Sequence, residues 1–153
     1  MTNFIGDFSA KIDPKGRLSF PSAFIKQMPE DSDKKFVVKK DIYVKCLIIY
    51  TIKEWERQLE NIRRKTNQNN RTHAAFLRQF FKGTAELKLD SNNRILIPAR
   101  LLEDVEMKKD IQLLGQNHKI ELWASEEYEK IDIAPDDFAN LAEDILGGDL
   151  YDL

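Results

Sequence analysis

Cysteine is nearly absent from this chain: Cys46 stands alone among 153 residues, which excludes an intramolecular disulfide framework and fits a reducing compartment. Two histidines, His73 and His118, sit in no metal-binding pair, so no structural zinc cluster and no metal cofactor is expected. No Gly-rich phosphate loop and no nucleophile elbow can be found, which leaves enzyme chemistry without a motif. The N-terminus lacks a signal-type apolar stretch, and no run approaches the roughly 20 apolar residues of a membrane span. The expectation is a cytoplasmic protein that is not an enzyme, with no cofactor, no small-molecule substrate and no membrane partner.

What the chain does contain is one stretch written twice. Ile12-Asp13-Pro14-Lys15-Gly16-Arg17-Leu18-Ser19-Phe20-Pro21 recurs 77 residues later as Leu89-Asp90-Ser91-Asn92-Asn93-Arg94-Ile95-Leu96-Ile97-Pro98. Gly6 likewise recurs as Gly83, which marks an internal repeat. In each copy an Asp opens a tight turn and a Gly or Asn stands where a left-handed bulge residue is needed, the chemistry of a β-hairpin. Asn93 replaces Gly16 at that bulge, and Asn is the next-best tolerated residue at positive φ. Arg17 and Arg94 then fall on the first residue of each returning strand.

Charge divides the chain as well. The net −2 hides 17 Lys and Arg against 9 Asp and Glu in residues 1–82, a balance of +8, and 7 against 17 in residues 83–153, a balance of −10. A basic half in an acidic whole points to an anionic partner met on one side, or to one half docking on another; differing helix surfaces are the bland explanation.

The pattern of apolar residues predicts a first strand over Phe4 to Ile12, a short helix over Ser22 to Met28, strands over Phe36 to Lys39 and Cys46 to Tyr50, and a helix from Thr51 carrying Trp55, Leu59 and Ile62. Arg63 to Arg71 reads as a helix end and loop, and Thr72 to Phe81 as a second, tightly packed helix. The second copy repeats the order: a strand with Ala85, Leu87 and Leu89 inward, a helix over Pro98 to Val105, strands over Ile111 to Leu114 and Lys119 to Trp123, and a helix near Ser125. A last helix starts at Pro135 with a Phe138, Leu141 and Ile145 stripe, and Gly147-Gly148 stops it before a frayed tail. Each copy is too short to bury a core alone, so interleaving is expected, centred on Phe8, Ile12, Leu18, Phe20, Leu87, Leu89, Ile95 and Ile97.

These residues carry a resemblance. The two Asp-x-x-x-Arg turns, the run Cys46 to Tyr50 leading to Glu54-Trp55-Glu56, and Leu113-Leu114-Gly115-Gln116-Asn117-His118-Lys119-Ile120-Glu121-Leu122-Trp123 resemble the MraZ family over roughly residues 4–146. That resemblance implies a β-rich α+β fold of two tandem swapped-hairpin, AbrB-like repeats, forming one pseudo-twofold β-barrel core flanked by amphipathic helices. It also implies a transcriptional repressor of the division and cell-wall gene cluster, binding short tandem boxes in double-stranded promoter DNA as a ring-shaped homo-oligomer near the nucleoid. On this basis residues 1–153 form one domain, with a first repeat at 4–66, a helical connector at 67–82, a second repeat at 83–130 and a C-terminal helix and tail at 131–153.

Asp13, Gly16, Asp90 and Asn93 are read as turn-structuring, the aspartates by capping backbone N–H groups. Arg17 and Arg94 could pair with their own aspartates, or present an exposed guanidinium to phosphate or guanine. Lys11 and Lys15 neighbour Arg17 and would extend a phosphate-contacting patch; solubilising surface charge is the alternative. The expected DNA-binding set is therefore Arg17, Lys15, Lys11 and Arg94, with the first turn favoured. Arg63, Arg64, Lys65 and Arg71 form a further basic cluster that reads as a solvated face, a subunit contact or a DNA clamp. A competing reading from another class is an assembly module in which the basic half of one chain docks the acidic half of another, with no nucleic acid involved.

Overall fold

In the computed structural model, which describes residues 2–30 and 33–147, both copies contribute to one sheet. The first copy supplies β1 (Asp7–Lys11), β2 (Arg17–Ser19), α1 (Ser22–Lys26), β3 (Lys35–Lys40), β4 (Leu47–Thr51), α2 (Ile52–Lys65) and α3 (Arg71–Phe81). The second supplies β5 (Ala85–Lys88), β6 (Arg94–Leu96), α4 (Ala99–Asp104), β7 (Asp110–Gln116), β8 (Lys119–Ala124) and α5 (Ser125–Glu129), and α6 (Pro135–Leu146) follows.

Each hairpin closes only at its tip. β1 does not pair with β2; it runs antiparallel to β7 of the other copy, while β5 pairs with β3 and β2 pairs with β6. Each turn therefore hands both of its strands to the opposite repeat. The six-stranded sheet has the order β1-β7-β8-β4-β3-β5, and β2-β6 is a separate two-stranded ladder. The β4–β8 pairing, with Leu47 opposite Leu122 and Ile49 opposite Ile120, joins the copies at the centre. The implied barrel is not closed: β1 and β5 stay at the edges of the larger sheet. The chain leaves each edge strand at an Asp turn and continues into the β2–β6 ladder, where Leu18 and Ile95 lie opposite each other and are both buried.

The core follows from this exchange. Seven of the eight expected central residues are buried in one cluster, joined by Phe36, Val38, Leu47, Ile49, Ile111, Leu113, Ile120 and Leu122 from the inner strands. Phe8 is the exception: half-buried, it packs edge-on against Phe24 at 5.0 Å between ring centroids. Phe4, joined to Asn117 by an isolated bridge, takes the fully buried place, because the chain bends at Gly6 (φ 115°) before β1 begins. The first strand is consequently shorter than Phe4 to Ile12.

Thr51 caps α2 by accepting from the Glu54 N–H at 3.2 Å. Asn70 caps α3 through the N–H groups of Thr72 and His73, and His73 Nδ1 accepts from the Asn67 N–H, tying the α2–α3 connection together. The tight packing expected of α3 is not found. No residue of α3 is buried, and Phe76 and Phe81 stay 41% and 43% exposed. Its aromatic face packs on α2 instead of the main core: Trp55 stacks on Phe80 at 6.1 Å. α6 likewise leaves Phe138, Leu141 and Ile145 exposed. The expected frayed tail, Asp149 to Leu153, lies outside the described residues. No helix among the described residues is long and apolar enough to cross a membrane.

Candidate functional site

Each turn is built by one carboxylate. Asp13 Oδ1 accepts from the N–H groups of Lys15 and Arg17, both at 2.9 Å, and Oδ2 accepts from Arg17 Nε at 2.8 Å. Asp90 does the same with the N–H groups of Asn92 and Arg94 at 2.8 and 2.9 Å, and with Arg94 Nε at 3.1 Å. The backbone ring is equally matched: the Asp13 N–H donates to the Arg17 carbonyl and the Gly16 N–H to the Asp13 carbonyl, each at 2.9 Å, with Asp90, Arg94 and Asn93 repeating the pattern. Both aspartates are held below the ordinary value of 3.8, chiefly by the backbone N–H of the arginine four residues on.

Gly16 and Asn93 have φ values of 90° and 57°, as bulge residues require. At Gly16 the constraint is double, since a Cβ there would meet the Ile97 carbonyl oxygen at 2.8 Å. The close approach follows from the exchange of strands: the Ile97 N–H donates to the Gly16 carbonyl, and the Phe20 N–H to the Asn93 carbonyl, both at 2.9 Å. The tip of each turn is thereby bonded to the far end of the other copy's short strand.

The short ladder brings the two arginines together. Arg17 lies opposite Leu96 and Arg94 opposite Ser19, so Arg17, Ser19, Arg94 and Leu96 share the outward face while Leu18 and Ile95 fill the inward one. Each guanidinium is about one-third exposed and tied to its aspartate through Nε. Among the described residues no hydrogen bond from the terminal Nη groups to a protein acceptor is formed, which leaves both Nη groups of each arginine free. Pairing with aspartate and presentation of a free fork, alternatives in the sequence, coexist. Pairing does not distinguish the turns, since both arginines are tied to their aspartates, at 2.8 Å for Arg17 and 3.1 Å for Arg94.

Lys11 ends β1 and Lys15 stands on the turn, both exposed. Beside them the structure adds two residues that the sequence pattern did not single out. The Ile12 N–H donates to the Lys109 carbonyl at 2.8 Å, so Lys108 and Lys109, just before β7, run alongside the first turn. A cavity of about 640 Å³ there is lined by Lys11, Lys15, Lys108 and Lys109 over a floor that includes Leu102 and Met107. The signal that could have found them is the repeat itself: once first strands pair across copies, the residues preceding the third strand of one copy must flank the turn of the other. The remaining basic cluster, Arg63 to Arg71, lies at the α2–α3 connection.

Among the described residues one group elsewhere has metal-ligand chemistry. Donor atoms of Asp41, Cys46 and Glu121 lie within 4.8 Å of one another. They serve other ends: Asp41 Oδ2 accepts from the Tyr43 and Val44 N–H groups, and Glu121 Oε1 accepts from Trp123 Nε1. Burial pushes the Cys46 thiol up to about 12, which disfavours the thiolate a metal would need.

The fold and its turns define a duplicated, strand-exchanged β-rich module that presents two aspartate-braced arginines from one short ladder. The family described as "MraZ protein, putative antitoxin-like" matches twice, over residues 4–79 and 80–145. Proteins named "Transcriptional regulator MraZ" are similar over nearly the whole chain: one from Bacteroides fragilis is 35% identical over 95% of this chain and 92% of its own. Another from Phocaeicola vulgatus is 36% identical over 94% of each, and one from Christiangramia forsetii 35% identical over 99% and 98%. The chain belongs to the MraZ family.

Proposed function

We propose that the protein is a sequence-specific DNA-binding transcriptional repressor of the division and cell-wall gene cluster. The observation that carries this reading is the pair of guanidinium forks on one face of the β2–β6 ladder, each braced by an aspartate that fixes its direction and leaves both Nη groups free. A planar fork of this kind matches O6 and N7 of guanine in the major groove, and a two-stranded ribbon is narrow enough to enter that groove. The relatives' name, transcriptional regulator, supports regulation of transcription as the setting.

In this reading Arg17 reads bases, Lys11 and Lys15 contact phosphates, and Arg94 assists from the second turn. One protomer offers few base contacts, so a closed homo-oligomer on tandem promoter boxes would raise the effective concentration for each later contact. The exposed apolar residues of α3 and α6, with basic charge around the first and acidic charge on the second, are suited to subunit contacts and support assembly. The chain would act as a single domain associated with the nucleoid. Fluorescence anisotropy at fixed salt, comparing duplex from the promoter of the gene cluster with scrambled duplex, tests the reading. Preferential binding to the promoter is expected; equal or absent binding would leave the assembly module, in which charge-complementary halves meet without nucleic acid. Light scattering at micromolar concentration should give a multiple of the 17.9 kDa chain mass.

A further inference from the structure

The sequence assigns basic charge to the first half and acidic charge to the second, yet the cavity beside the first turn takes two of its four lysines from the second half. We infer that the phosphate-binding groove of the DNA-reading turn is a composite of both repeats, in which Lys108 and Lys109 contact the sugar–phosphate backbone together with Lys11 and Lys15. This rests on the DNA-binding reading above and adds residues to it.

Backbone pairing fixes the placement. Lys11 lies opposite Asp110 in the β1–β7 register, and the Ile12 N–H to Lys109 carbonyl bond extends that pairing to the start of the turn. Lys108 and Lys109 are therefore held beside Asp13 and Lys15 by the same ladder that forms the sheet. All four lysines are exposed, and among the described residues none of them forms an ion pair. The nearby carboxylates are mostly committed. Asp13 is bonded to Arg17 and two N–H groups, Glu106 is bonded to Lys45, and Glu127 to Lys130. Lys108 and Lys109 also line a second groove with Glu106, Asp110, Glu126 and Glu127, which Lys11, Asp13 and Lys15 do not join. Acid there repels a phosphate chain and leaves the groove that the two lysines share with Lys11 and Lys15 as the approach.

Among the described residues the second turn lacks this arrangement. Its counterpart of Lys109 is Lys34, since the Leu89 N–H donates to the Lys34 carbonyl at 3.1 Å. The neighbours there are Lys88 in place of Lys11, Asn92 in place of Lys15, Asp33 in place of Lys108, and Lys35, whose ammonium lies 3.8 Å from Glu86. A mixed set of this kind attracts phosphate weakly. Lysines act on phosphates as point charges, so the composite groove supplies affinity and salt dependence, while discrimination between sequences stays with the arginine fork.

The test uses the full chain and two double variants with the same charge change: Lys108→Gln/Lys109→Gln at the first turn and Lys34→Gln/Lys88→Gln at the second. Binding to promoter and to scrambled duplex is followed by anisotropy across a salt series, with circular dichroism checking the fold. The first variant should weaken both duplexes alike and flatten the log–log salt slope by about 0.9 for each phosphate no longer neutralised, keeping the preference for promoter. The second variant should change the slope little. Equal flattening by both variants would mean a general charge effect and overturn the inference, as would an unchanged slope in a folded Lys108→Gln/Lys109→Gln protein whose parent binds DNA. If the parent chain itself binds neither duplex, the DNA reading fails and the inference with it; if the parent prefers promoter and Arg17→Ala abolishes that preference, the reading stands whatever the lysine variants do.

Discussion

Between the first and second turns the backbone hydrogen bonds agree to within 0.1 Å, and the aspartate–arginine pairs differ only as 2.8 against 3.1 Å, so the turns themselves are near duplicates. Their surroundings are not. The first is flanked by four lysines that form no ion pair among the described residues, and its bulge residue, Gly16, is buried against the Ile97 carbonyl. The second is flanked by mixed charge, and its bulge residue, Asn93, is exposed. The two copies share the aspartate-braced arginine turn and differ in the residues around it, and in the proposed DNA-binding reading that difference sets how strongly each copy attracts a phosphate.

The comparison is broken most directly at the arginines. Arg17→Ala should cost specific promoter binding roughly 1–3 kcal/mol per protomer, the worth of a bidentate pairing with a base, and multivalent binding multiplies that effect. Arg94→Ala should cost less. Affinity for tandem boxes, with circular dichroism as the folding check, decides the order; the reverse order in folded variants would make the second turn the reader.

Stability separates the bulge residues. Gly16→Ala places a Cβ against a carbonyl oxygen at positive φ and should lower stability by about 1–3 kcal/mol in denaturant titration. Asn93→Gly, at φ 57° on an exposed tip, should change it by less than about 1 kcal/mol in either direction.

Charge on the turn itself can be moved from one copy to the other. Lys15→Ala should weaken promoter and scrambled DNA alike and lower the salt slope by about 0.9, whereas Asn92→Lys should steepen it. If Asn92→Lys also restores binding to Arg17→Ala, the turns are more interchangeable than their surroundings suggest.

The smallest effect is expected with acid. Both aspartates titrate below the ordinary 3.8 when folded, so the stability they contribute is present above that value and is lost as pH falls through the lowered folded values. Melting temperature should therefore fall more steeply below about pH 4 for the parent than for Asp13→Asn/Asp90→Asn. A steeper fall in the double variant would contradict the sign.

Residues close in the chain were legible from the sequence. Asp13 with Gly16 and Arg17, and Asp90 with Asn93 and Arg94, are turns decided by local hydrogen bonding and positive φ, and the repeat made each support the other. Alternation of apolar residues marked the strands and most of the core. Local pattern has no say, however, over which strand a strand pairs with: β1 and β2 could have closed a hairpin on themselves, and instead each was exchanged with the other copy. That choice buries Leu18 against Ile95, leaves the sheet open where a barrel was expected, and carries Lys108 and Lys109 from an acidic half to the basic turn. Phe8 and α3 depart from expectation for the same reason, since an apolar face says that something must cover it and not what, or how completely. Two aspartate-braced arginine turns are written into the chain itself, because their bonds run within five residues. That both point from one ladder, and that one is ringed by lysines, belongs to the folded molecule alone, because those relations depend on pairings between residues 75 to 97 positions apart.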